Sequence, residues 1–148
     1  MKGMFFEKTD KTNINNRAEE DFKNSMKNCD YDRAYAISDV FNLDKDVIRK
    51  EALSEYGRRL EKGDYNHADE IIKRFNLAEE EIRKAAETVY YECIKKEEYF
   101  KAAYIAELSN LGRDKVEEAA RKVLEKYKSE KGSERAKLIA QRFNLDEK

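Results

Sequence analysis

Apolar residues in this chain recur three and four positions apart. Ile48, Ala52, Tyr56 and Leu60 are each separated by four, with Leu53 widening the stripe, and Ile82, Ala86, Tyr90 and Ile94 repeat the arrangement. Such spacing gathers the apolar groups on one face of an α-helix. A shorter run, Ala68, Ile71, Ile72 and Phe75, follows the same rule, and the strict alternation of a half-buried strand occurs nowhere. The pattern predicts an all-α chain. Long helices fall near 14–28, 45–62, 79–96 and 113–129, and short ones near 31–42, 65–76, 99–110 and 133–144.

The same pattern returns at a fixed step. Asn42-Leu43, Asn76-Leu77, Asn110-Leu111 and Asn144-Leu145 lie 34 residues apart. Ala34, Ala68, Ala102 and Ala136 keep that step, as do Ile37, Ile71, Ile105 and Ile139. So many columns in one register predict four helical hairpins, eight helices in all, stacked as an α-solenoid. The Asn-Leu pair has a mechanical reading. Asparagine tolerates the left-handed conformation that ends many helices, and the next residue then folds back over the helix just finished. Leu43, Leu77 and Leu111 should therefore be largely buried, each also standing opposite an apolar residue of the following helix as a hydrophobic staple. Asp44 is a ready N-cap for the helix it precedes, whereas Ala78 and Gly112 are weaker caps. Residues 1–13 fall outside the repeat and read as an N-terminal extension, with Met4, Phe5 and Phe6 free to fold over the first hairpin; residues 14–148 read as one domain.

A period of 34 residues in a helix–turn–helix unit resembles the tetratricopeptide repeat. The residues that carry the likeness are Gly63-Asp64-Tyr65 followed by Ala68, echoed by Tyr31 with Ala34 and by Tyr99 with Ala102. The family's boundary proline is replaced by Asn-Leu. Tyr56, Tyr90 and Leu124 stand where its first helix carries a small residue, and Ala52, Ala86 and Ala120 where it carries a bulky one. The resemblance implies a helical solenoid that binds proteins or peptides.

Composition narrows the function classes. Charged residues make up 43% of the 148, yet 32 acids nearly cancel 31 bases. No strong net field draws nucleic acid or anionic lipid to the chain. Proline is absent and glycine scarce, which suits helices. Cys29 and Cys93 fit no CxxC or zinc spacing and read as reduced thiols of a cytoplasmic protein. No stretch is long and apolar enough for a signal-peptide core or a membrane span.

Catalytic chemistry finds no foothold. His67 is the only histidine, and its counterparts in the repeat are Arg33, Lys101 and Arg135, so it reads as a solvated residue. Glu79, Glu80 and Glu81 occupy the first turn of a helix, where acids complement the dipole. Neither a glycine-rich phosphate loop nor a metal or cofactor site is expected. Tyr31, Tyr65 and Tyr99 form a ladder that reads as packing between hairpins rather than as a base-stacking platform.

A non-enzymatic protein-interaction module is the leading reading. In the tetratricopeptide-like register, Lys23, Lys27, Lys50, Lys84, Tyr91, Lys95 and Arg121 fall on the concave face and suit an acidic peptide or a carboxylate. An RNA-binding helical repeat is the alternative, and a homo-oligomeric structural protein a second. For the last, the 133–144 helix ends on a full Asn-Leu signal with little chain beyond it. Leu138, Ile139, Phe143 and Leu145 are then an exposed apolar face through which two copies associate.

Overall fold

The computed structural model describes residues 2–129 and 133–145, with side chains from 13–127 and 134–145. Among the described residues there are eight α-helices and no strand: α1 (Lys2–Lys27), α2 (Tyr31–Val40), α3 (Lys45–Glu61), α4 (Tyr65–Phe75), α5 (Glu79–Lys95), α6 (Tyr99–Leu108), α7 (Arg113–Ser129) and α8 (Ser133–Arg142). Seven of them lie close to the ranges the apolar spacing predicts. The first differs, because α1 begins at Lys2 rather than near residue 14. Periodicity detects a helix through an apolar stripe; the first half of α1 has its apolar residues clustered at Met4, Phe5 and Phe6 rather than spaced by three and four, and with no proline it continues the helix without that signal. The separate folded-over extension is thus replaced by continuous helix, and the side chains of Met4, Phe5 and Phe6 lie outside the described residues.

The chain forms two compact units, one of Met1–Arg59 with Asp64–Leu77, the other of Leu60–Gly63 with Ala78–Lys148. In the first, α1 packs on α2 and α2 on α4. Its core holds Ala18, Phe22, Met26, Ala34, Ala52, Tyr56, Ala68 and Ile71. Phe22 meets Phe75 edge to face at 6.0 Å. In the second unit, α5, α6, α7 and α8 pack in succession. Buried Ala102, Ala103 and Ala106 on α6 meet a partner helix that carries buried Ala119 and Ala120. Small side chains there let two helix backbones approach closely. Tyr90, also buried, donates its hydroxyl to the Lys115 carbonyl at 3.0 Å.

Helix ends follow two series of left-handed residues. One is Asn42, Asn76, Asn110 and Asn144, with φ of 48°, 49°, 53° and 55°. The leucine folds back after three of them: the amides of Leu43, Leu111 and Leu145 donate to the carbonyls of Ser38, Ala106 and Ala140 at 3.0, 2.9 and 2.8 Å. These three leucines are buried. Leu77 is only half-buried, contrary to expectation. The cap fixes the path of the backbone, but what covers the leucine depends on its neighbours. The other series is Cys29, Gly63 and Glu97, with φ of 60°, 77° and 61°. Gly112 precedes α7 without a capping side chain, as expected, and its φ of 116° is one that side-chain-bearing residues rarely adopt, so the backbone also requires glycine there.

The apolar face expected on the last helix is not there. Ile139, Phe143 and Leu145 are buried inside the second unit, and only Leu138, 65% exposed, remains outside. Phe143 packs on Phe100 at 5.7 Å. Arg113 donates to the carbonyls of Phe143 and, at 2.8 Å, Asn144. The fold-back at Asn144 covers Leu145, so the surface invoked for association of two copies shrinks to one leucine.

Candidate functional site

Two positions of α3 differ in chemistry from the residues one and two 34-residue steps later. Glu55 stands where the corresponding later residues are Val89 and Val123, and Arg59 where they are Cys93 and Tyr127. Glu55 is completely buried. A buried carboxylate needs partners, and it has two. Arg59 donates to Oε1 through Nε at 3.1 Å and Nη2 at 2.8 Å, and Arg58 donates to Oε2 at 2.7 Å. Arg59 also donates to the backbone carbonyl of Lys27 at 2.7 Å and lies 3.6 Å from Asp64 Oδ2. Burial is the largest single effect and works against the guanidinium charge, but the Glu55 hydrogen bond together with the electrostatic pull of Cys29, Glu55 and Tyr31 outweighs it and holds Arg59 above its ordinary value.

Around the outer end of Arg59 lies a second group. Cys29 occupies the left-handed turn between α1 and α2, and Tyr31 opens α2. Asp64 is the N-cap of α4: its Oδ1 accepts the His67 amide at 3.5 Å, and its Oδ2 lies 2.6 Å from His67 Nδ1. That last contact is the main reason the Asp64 carboxyl is held below its ordinary range. The Cys29 sulfur, an Asp64 carboxylate oxygen and a His67 ring nitrogen all lie within 4.8 Å of one another. The Tyr31 ring stands edge-on to His67 at 5.8 Å. Its hydroxyl is buried without a well-aligned hydrogen bond; burial first, and then the Cys29 thiol beside it, push its titration well up.

His67, read from sequence as solvated, is therefore only half-exposed and paired. The grouping was missed because its members are 2 to 38 residues apart and each is ordinary alone. The signal that could have found it is the departure from the repeat, since Cys29 aligns with Gly63 and Glu97, and His67 with Arg33, Lys101 and Arg135. Acids recur at the Asp64 column as Asp30 and Glu98, in keeping with a capping role.

The seven residues assigned from sequence to a binding face are all exposed. Lys23, Lys27 and Lys50 belong to the first unit; Lys84, Tyr91, Lys95 and Arg121 belong to the second. Within α5, Lys84, Thr88, Tyr91 and Lys95 form one exposed stripe, because steps of four, three and four complete three helical turns. Tyr91 is 54% exposed, and its ring meets Tyr90 edge to face at 5.2 Å. The second unit also has a cleft of about 390 Å³, lined by Tyr99, Phe100, Val123 and Tyr127. In repeat register, Val123 and Tyr127 stand where Glu55 and Arg59 fill the first unit. Among the described residues no helix is long and apolar enough to cross a membrane. No protein-family model matches the chain, and no curated protein or solved structure shows significant similarity to it.

Proposed function

We propose that the chain is a non-enzymatic helical-repeat module, a tetratricopeptide-like solenoid of 34-residue hairpins that binds an acidic peptide segment of a partner protein. The observation that carries this reading is the α5 stripe. A large exposed aromatic, Tyr91, is braced by Tyr90 and lies between two exposed lysines, Lys84 and Lys95. Among the described residues neither lysine has an ion-pair partner, unlike Lys73, Lys96 and Lys101. Tyrosine offers wide contact area with few rotatable bonds, which is why it recurs among the residues that dominate binding energy. A helix-borne tyrosine loses little further freedom on binding, and the flanking ammonium groups select an acidic partner and speed encounter.

Fluorescence anisotropy with a labelled Glu/Asp-rich peptide tests the reading. Binding should weaken with added salt and fall by roughly tenfold, about 1.4 kcal/mol, in Tyr91→Ala and in Lys84→Glu, with the melting temperature unchanged. Equal binding by both variants, or no binding by the wild type, overturns it. A single-stranded oligoribonucleotide bound in place of the peptide, with a steep salt dependence, moves the assignment to RNA.

A further inference from the structure

Cys29, Tyr31, Asp64 and His67 meet around one point of the first unit, and two of them, Cys29 and His67, replace residues of another chemical type elsewhere in the repeat. A thiol, a carboxylate and an imidazole brought together have two common uses: a proton relay to a nucleophilic thiol, or a metal site. The separations decide between them. In a relay the imidazole stands between acid and nucleophile, which keeps those two roughly 7 Å apart. Here all three donor atoms lie within 4.8 Å of one another. They converge on a common centre.

We propose that Cys29, Asp64 and His67 bind a divalent transition-metal ion of the zinc class, which clasps the α1–α2 turn to the first turn of α4. Mixed sulfur, nitrogen and oxygen donors suit zinc and disfavour calcium or magnesium, which take oxygen alone. Bond lengths of about 2.0–2.3 Å place tetrahedral ligand atoms roughly 3.3–3.7 Å apart. All three donors lie within 4.8 Å of one another, so shifts of roughly an ångström bring them to that spacing. The 2.6 Å contact between His67 Nδ1 and Asp64 Oδ2 opens by under an ångström as the ion takes the place of the shared proton. On binding, the Cys29 thiol gives its proton to solvent, as does His67 Nδ1, with Nε2 carrying the one N–H of the neutral imidazole; the thiolate and the Asp64 carboxylate together balance the double charge of the ion. Three protein ligands leave the fourth position to water.

A second observation points the same way. The Tyr31 hydroxyl, on a residue 97% buried, makes no well-aligned hydrogen bond; the neutral Cys29 thiol beside it is a weak partner. A metal-bound thiolate is a far better acceptor than a neutral thiol, so occupation of the site turns the weak contact of Tyr31 with Cys29 into a strong hydrogen bond.

The test uses the reduced full-length protein, stripped with a chelator and titrated with Co²⁺ in place of Zn²⁺. One equivalent should bind and produce a thiolate-to-cobalt charge-transfer band, and Zn²⁺ should displace it and raise the melting temperature. Cys29→Ser should abolish the band and the thermal shift, whereas Cys93→Ser should keep both. Cys29→Gly, which installs the residue of the next turn, keeps the left-handed backbone if serine disturbs the fold. Asp64→Asn preserves the N-cap while removing the anionic ligand; it and His67→Gln should each weaken Zn²⁺ binding by roughly tenfold or more. No cobalt uptake by the wild type, or uptake with unchanged affinity and band in Cys29→Gly, overturns the proposal.

Discussion

Arg59 donates a hydrogen bond to the backbone carbonyl of Lys27 at 2.7 Å, across 32 residues of sequence. The acceptor belongs to the last turn of α1, where carbonyls have no partner within their own helix. A guanidinium from α3 satisfies it and adds a favourable charge at the negative end of the dipole. The same guanidinium neutralises Glu55, so one side chain joins a helix end to a buried acid.

Removing Arg59 therefore leaves two groups in need of partners. Arg59→Met is expected to destabilise the fold by about 2–4 kcal/mol, chiefly because Glu55 stays buried with only Arg58 to pair with. Replacing both members, Glu55→Val with Arg59→Met, should restore stability to within about 1 kcal/mol of the wild type, since no charge is then stranded. Urea denaturation of both single variants and the double variant closes the cycle. Strict additivity would show that the pair is not coupled.

Each helix-ending asparagine carries a conformation that alanine adopts poorly. Asn110, at φ 53°, should lose about 1 kcal/mol on replacement by alanine and stay within about 0.5 kcal/mol of wild type on replacement by glycine. Equal losses for the two would mean that the asparagine side chain, and not the backbone angle, is what matters there. Thermal melts monitored at 222 nm resolve the difference.

The stapling leucines should separate by burial. Leu111→Ala, at a position 8% exposed, is expected to lose about 2–5 kcal/mol. Leu77 is half-buried, and Leu77→Ala should lose only about 1–2 kcal/mol, in proportion to the apolar area it covers. Chemical denaturation that ranked Leu77 above Leu111 would contradict the burial seen here.

Glu107 supplies a pH dependence of known sign. Arg142 reaches its two carboxylate oxygens at 2.7 and 3.0 Å, and that bond lowers the Glu107 carboxyl below its ordinary value of 4.5. A carboxyl depressed in the folded state binds its proton more readily when unfolded, so it stabilises the fold above pH 4.5 and loses that contribution as the pH falls toward the folded value. Both side chains are more than a third exposed, and solvent screening limits the effect to about 0.5 kcal/mol. The melting-temperature gap between wild type and Glu107→Gln should narrow below pH 4.5. A gap that stays constant there points to packing instead of charge.

What the sequence determined by itself is local. Helix periodicity, the short turns and the left-handed asparagines at 42, 76, 110 and 144 depend on a few adjacent residues, and repetition wrote each signal several times. The α5 stripe was legible for the same reason, because residues 84, 91 and 95 share a face through helical spacing alone. Tertiary structure decided what no local spacing encodes. It buried Ile139, Phe143 and Leu145 within the second unit, left Leu77 half-covered, and placed Glu55 in the core with two guanidinium partners. It also brought Cys29 within ligand distance of Asp64 and His67, residues more than 30 positions further on. Whether such groups meet depends on how helices distant in sequence pack, and packing is set by the whole apolar surface of a unit rather than by any one segment of it.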